Sequence, residues 1–102
     1  MVPGDRTIAF RGQLWMWSGK GAWFFVSLPQ EDAERIRFFT GGRRRGFGSL
    51  RVKARIGDTT WRTSIFPDTK SGSYLLPVKA DVREAERLAD GSAVAVTLNL
   101  DV

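Results

Sequence analysis

Hydrophobic and polar positions alternate with period two over most of this chain. Residues 7–17 place Ile8, Phe10, Leu14 and Met16 on one face and Arg11, Gln13, Trp15 and Trp17 on the other. That spacing predicts a strand, with Gly12 as the place for a bend or bulge. Ser18-Gly19-Lys20-Gly21 reads as a four-residue turn. Trp23 to Leu28 reads as a return strand buried on both faces. Pro29 opens a short helix over about residues 30–39, with Glu31, Asp32 and Glu34 early and Arg35 and Arg37 late, as the helix dipole favours. Ala33, Ile36 and Phe38 or Phe39 make its apolar stripe, and Gly41-Gly42 stop it.

The segment Leu50 to Ile56 again alternates, apolar against basic, and Thr59 to Phe66 returns as its partner. A two-residue turn at Gly57-Asp58 would set Lys53 opposite Arg62. Pro67 to Ser73 is a polar loop. Tyr74 to Val78 forms a fifth strand, and Pro77 marks a sheet edge or a strand end. Asp81 is read as the cap of a second helix, with Glu84 completing a capping box; Val82, Ala85, Leu88 and Ala89 form its apolar face, and Asp90-Gly91 end it. Ala93 to Leu100 is the last strand. The order β-β-α-β-β-β-α-β, with short alternating strands and brief helices, predicts a mainly β fold: a small barrel of about six strands capped by two short helices. Residues 1–6 form a tail and residues 7–102 one domain; no internal repeat is evident.

Composition narrows the chemistry. The chain has 102 residues, no cysteine and no histidine. Ser-His-Asp and Cys-His catalysis and Cys/His zinc sites are therefore excluded. The formal net charge is +5. Residues 35–62 carry nine of the cations against Asp58 alone, which points to an anionic partner. No apolar run is long enough to span a membrane and no signal-peptide core is present, so a cytoplasmic location is expected.

The candidate site residues follow from the alternation. Arg51, Lys53, Arg55 and Arg62 share the polar face of the 50–66 hairpin with Ser64, opposite Val52, Ala54, Ile56, Trp61, Thr63 and Ile65. Like charges across a ladder repel, so retaining Lys53 opposite Arg62 suits a face that binds an anion. The competing reading is a solvated strand face neutralised by acids such as Glu84 or Glu86. Gly41 to Gly48 surrounds Arg43, Arg44 and Arg45 with glycines, and Phe47 could stack on a base. It is not a P-loop, because Phe47-Gly48 stands where Lys-Ser/Thr is required. Trp15 and Trp17, on the polar face of the first strand, are candidate aromatic contacts. Asp58, Asp68, Asp81 and Asp90 each have a structural explanation at a turn, cap or helix end, and no serine lies in a Gly-x-Ser-x-Gly elbow.

The motif order Val26-Ser27-Leu28-Pro29, then Trp61-Arg62-Thr63-Ser64-Ile65-Phe66-Pro67, then Gly72-Ser73-Tyr74-Leu75-Leu76-Pro77-Val78, closing on Asp90-Gly91-Ser92 and a strand, resembles a prokaryotic family catalogued as domain of unknown function 1905. The resemblance spans about residues 7–101. It implies a double-split β-barrel with a helix at each end, related in architecture to swapped-hairpin transition-state regulators and antitoxins that bind DNA as dimers; here one polypeptide would make the barrel. It implies no activity. The functional expectation is a non-enzymatic domain, without a cofactor, that binds an anionic ligand: a nucleic-acid backbone or a small phosphate- or carboxylate-bearing compound. The alternative is a protein-interaction domain that uses the aromatic surface. A monomer or weak homodimer is expected.

Overall fold

The computed structural model describes residues 7–19, 21–40 and 48–100, apart from the side chains of 21, 22, 39 and 40. The elements run β1 (Thr7–Gly19), β2 (Gly21–Ser27), α1 (Gln30–Thr40), β3 (Leu50–Ile56), β4 (Thr59–Asp68), β5 (Ser73–Pro77), α2 (Ala80–Ala85) and β6 (Ala93–Leu100). The six strands close into one antiparallel barrel in the order β1-β2-β5-β4-β3-β6, as the alternation predicts. Inward residues from all six strands, with Ala33 and Ile36 of α1 and Val82 of α2, merge into a single core cluster. Closure leaves no strand without two neighbours, so Pro77 ends a strand and does not mark an edge.

β1 carries two pairings in succession. Thr7 to Gln13 pair with β6, and Leu14 to Gly19 pair with β2. The inward phase of Ile8, Phe10 and Leu14 continues without a bulge. Gly12 sits inside the barrel, where a Cβ would lie 2.9 Å from Val26 Cγ1. β4 repeats this habit: its first part pairs with β3 and Phe66 to Asp68 pair with β5. The two halves, β1-β2-α1-β3 and β4-β5-α2-β6, thus follow the same path around a local two-fold axis. Val26 pairs with Leu76 at one crossing of the axis, and Arg55 with Thr97 at the other. The hydrogen bonds repeat as well. Leu28 N donates to Tyr74 O and Val78 N to Phe24 O, both at 2.9 Å. Asp32 and Ala33 N donate to Pro29 O, and Val82 and Arg83 N to Lys79 O, all at 3.1 Å. No sequence repeat marks this symmetry: it lies in the registers, and in sequence only apolar positions follow it.

Several local expectations change. β2 is not buried on both faces, because Trp23 is 54% exposed and Ser27 is exposed; only Val26 is fully inside. Met16, in phase with the core, is exposed near the end of the β1–β2 hairpin, beyond the last core layer. Phe38 is 81% exposed, so Ala33 and Ile36 carry the described buried face of α1. α2 starts two residues before the position expected of a capping Asp81: Lys79 is the N-cap, with no side-chain cap bond, and Asp81 lies inside the first turn. The helix ends at Ala85, and Ala85 and Ala89 are exposed. Its end is a Schellman motif, with Leu88 N donating to Arg83 O at 2.8 Å and Arg87 N to Glu84 O at 3.3 Å. Arg87 takes the left-handed position at φ 57° that glycine usually fills. Asp90 consequently lies beyond the helix, where its carboxylate accepts Met16 N at 3.1 Å.

Candidate anion-binding site

The hairpin of β3 and β4 has the register that a two-residue turn dictates. Lys53 is opposite Arg62, Arg51 opposite Ser64 and Arg55 opposite Thr60. Val52, Ala54, Ile56, Trp61 and Ile65 are buried, and Arg51, Lys53, Arg55 and Arg62 are exposed. Gly57, at φ 59°, makes the turn that joins Ile56 to Thr59. The tip is braced twice: Arg55 Nε donates to Gly57 O at 2.9 Å, and Thr59 Oγ1 donates to Glu86 Oε2 at 2.5 Å. Glu86 therefore serves the turn and forms no salt bridge with the hairpin cations.

Beyond β3 the described outward residues of β6, Ala93, Ala95, Thr97 and Asn99, are neutral. Lys53 neighbours Asn99 and Arg55 neighbours Thr97 on β6. Asn99 in turn faces Thr7, whose Oγ1 donates to Asn99 Oδ1 at 2.6 Å, and Ala95 faces Arg11. Among the described residues, no carboxylate lies within ion-pair distance of Arg51, Lys53 or Arg55; the ion pair found is Arg35–Asp32. Arg51, Lys53 and Arg55 lie on the outside of a closed barrel and form an open face, not a concavity. Arg43, Arg44, Arg45 and Phe47 lie outside the described residues.

A concavity exists beside this face. β4 parts from β5 before Phe66, and the gap opens into a groove of about 520 Å³ between β4, the end of β5, β2 and α2. Of the predicted cations among the described residues, Arg62 lines it and Arg51, Lys53 and Arg55 do not. Trp23, Phe24, Phe66, Lys79 and Arg83 line it too, and sequence reasoning did not assign them to a site. The alternation puts Phe66 on the outward face of its strand, whereas Trp23 reads as buried; that both line one groove was not legible in the sequence. The Arg83 guanidinium carbon sits 3.8 Å from the Phe24 ring centroid, a cation–π contact, and its Nε donates to Val78 O at 3.2 Å.

The local two-fold places a second groove, also about 520 Å³, between β1 and α1, lined by Phe10, Arg11, Glu31, Asp32 and Arg35 among others. Here Asp32 occupies the place that Val82 holds in the other half. Asp32 is buried, and burial pushes its carboxyl above the ordinary value of 3.8; Glu31 adds to the rise and Arg35, 4.0 Å away, opposes it. A carboxyl whose native value is raised holds its proton longer folded than unfolded. The contribution of Asp32 to stability is then fully present below pH 3.8 and is lost as pH rises through the native value. Asp32→Asn is expected to unfold at a higher temperature than the parent at pH 7, with the two midpoints converging as pH falls toward 4. A parent more stable than the variant at neutral pH would show that the Arg35 contact outweighs burial.

Trp15 and Trp17 fall on the outward face of the β1–β2 hairpin, but in different roles. Trp15 is half-buried, its Nε1 donates to Ser27 Oγ at 3.0 Å, and its ring lies 5.3 Å from that of Phe25 at 41°. Trp17 is 47% exposed and pairs across the ladder with Trp23, which stacks on Phe25 at 6.3 Å and 9°.

Among the described residues, no cluster of three or more His, Cys, Asp or Glu side chains could hold a metal ion, and no helix is long and apolar enough to cross a membrane. A family model described as "Domain of unknown function (DUF1905)" matches residues 10–98. No curated protein matches the chain.

Proposed function

The chain belongs to the DUF1905 family, defined by a domain of unknown function, and from its surface we propose that it is a binding domain, not an enzyme, whose ligand is a polyanion of the nucleic-acid-backbone kind. The observation that carries this reading is the row of Arg51, Lys53 and Arg55 on the open face of β3, with no carboxylate within ion-pair distance among the described residues and with Asn99 and Thr97 beside Lys53 and Arg55 on β6. Like charges spaced along one face repel one another. A line of phosphates relieves that repulsion and adds charge-assisted hydrogen bonds. An isolated small anion on an open face gains little, because water screens each contact; a polymer sums several. The carboxylates contribute to structure instead: Asp68 holds Ser71 Oγ at 2.8 Å, Glu86 holds Thr59, and Asp90 holds Met16 N.

Titration of the protein with a short DNA duplex at increasing salt tests this. Four phosphate contacts predict a log–log slope of about −3.6, so affinity should fall by about a hundredfold between roughly 50 and 200 mM salt. Lys53→Glu should weaken binding and make the slope shallower by about one or more. No binding at low salt, or binding indifferent to salt, overturns the reading.

A further inference from the structure

We infer that the groove between β4, β5 and α2 is a binding site for a small, flat aromatic molecule that carries a carboxylate or a phosphate. The local two-fold supplies an internal comparison. In the β1–α1 groove, Arg11 and Arg35 share the walls with Glu31 and Asp32, so the protein supplies its own counter-charge. In the β4–α2 groove, Lys79 and Arg83 line the walls together with Arg62 and, among the described residues, no carboxylate does. The two cavities occupy equivalent places, yet one carries acids on its own walls and the other, through Lys79 and Arg83, is complementary to an anion.

The rest of the wall specifies what carries the charge. Trp23 and Phe66 line the groove and are 54% and 43% exposed, an unusual degree for large aromatic side chains without a layer over them. Trp61 and Phe24 lie behind them. A flat ring between such walls gains stacking and apolar burial together. Arg83 is already oriented: its Nε is held by Val78 O and its plane rests near Phe24, so little side-chain freedom remains to be lost when a ligand engages it. Lys79 is exposed and makes no side-chain bond at the cap it occupies. The volume suits a ligand of ordinary small-molecule size. This site is distinct from the polyanion face; among the described residues, Arg62 alone belongs to both.

Tryptophan emission is a direct readout, because Trp23 and Trp61 line the groove. The probes are 2-naphthoate, 2-naphthyl phosphate and the neutral 2-naphthalenemethanol. The two anions are expected to change the emission saturably and to bind at least about tenfold tighter than the alcohol, the factor that a charge-assisted hydrogen bond supplies. Lys79→Glu should weaken the anions by a similar factor and leave the alcohol unchanged. The triple variant Arg51→Ala, Lys53→Ala, Arg55→Ala should abolish duplex binding and leave naphthoate affinity within about twofold, since none of these residues lines the groove. Preference for the phosphate over the carboxylate would support the site and narrow its ligand. Equal affinity for the alcohol and the anions, or no saturable binding at millimolar concentration, overturns the inference.

Discussion

Leu98→Ala should lower the unfolding free energy by about 2–5 kcal/mol, toward the upper part of that range. Leu98 is fully buried on β6, next to Ile8 of β1 on one side and Ala54 of β3 on the other. Trp61 of β4 follows Ala54 in the same layer. The layer thus runs large, large, small, large across four strands, and Leu98 fills the room that Ala54 leaves. Two alanines side by side would open a cavity between Ile8 and Trp61. A closed barrel relaxes poorly around such a void, because every strand is held to two neighbours and cannot move inward without breaking ladder bonds. For a domain whose total stability is about 5–15 kcal/mol, the loss is a large fraction of the whole. Urea unfolding should show a lower midpoint with an unchanged slope. A loss below about 1 kcal/mol would mean that the layer is not packed as described.

Gly57→Val should destabilise by about 2–4 kcal/mol, from two independent causes. The first is the backbone: φ is 59° at the first central position of a two-residue turn, where a β-branched residue is strained. The second is space: a Cβ at Gly57 would lie 2.1 Å from Glu86 Oε1. Glu86 would have to move away, and it is the group that accepts the Thr59 hydroxyl. The effect reaches function, because the turn sets the register that places Lys53 opposite Arg62. Thermal unfolding should drop by roughly 10–25 °C for a domain of this size. Duplex affinity, measured at a temperature where the variant is folded, should fall as the hairpin frays. Glu86→Ala in the Gly57→Val background separates the causes: it removes the crowding carboxylate, so the loss that remains beyond that of Glu86→Ala alone belongs to the backbone. If Gly57→Val unfolds like the parent, the turn is not what sets the register.

How much of this was legible depends on the distance over which each signal acts. The Lys53–Arg62 pairing was readable because Gly57-Asp58 is a local device, and a two-residue turn leaves one register. The burial of Val52, Ala54, Ile56 and Ile65 was readable for the same reason: period two is a local property of the pleat. The start of α2 was misread because Asp81 and Glu84 match a capping pattern, whereas the chain already turns at Lys79, held there by the Val78–Phe24 hydrogen bond. That bond is long-range, and no local propensity contains it. The burial of β2 was misread because aromatic residues suit a core and an outward stack equally well; Trp23 and Phe25 stack on the outside, on a face that nothing in the described chain covers with a second layer. The internal duplication left a faint trace in Phe24 and Tyr74, Val26 and Leu76, and Leu28 and Val78, apolar at equivalent places. Polar positions diverged freely, so Pro29 faces Lys79 across the axis and Asp32 faces Val82.

By itself, the order of residues determined which strands exist, which faces of β1, β3, β4 and β6 turn inward, and which cations share the outer face of the β3–β4 hairpin. These are consequences of pleat geometry and turn stereochemistry, both set within a few residues. Only the tertiary structure decided that β1 and β4 each change partners midway, that the resulting splits open into two grooves, and that one groove carries its own acids while the other gathers Arg62, Lys79 and Arg83 beside Trp23 and Phe66. Barrel closure is a collective outcome of six strands finding mutual registers, and a side chain's neighbours across a split depend on all of those registers at once.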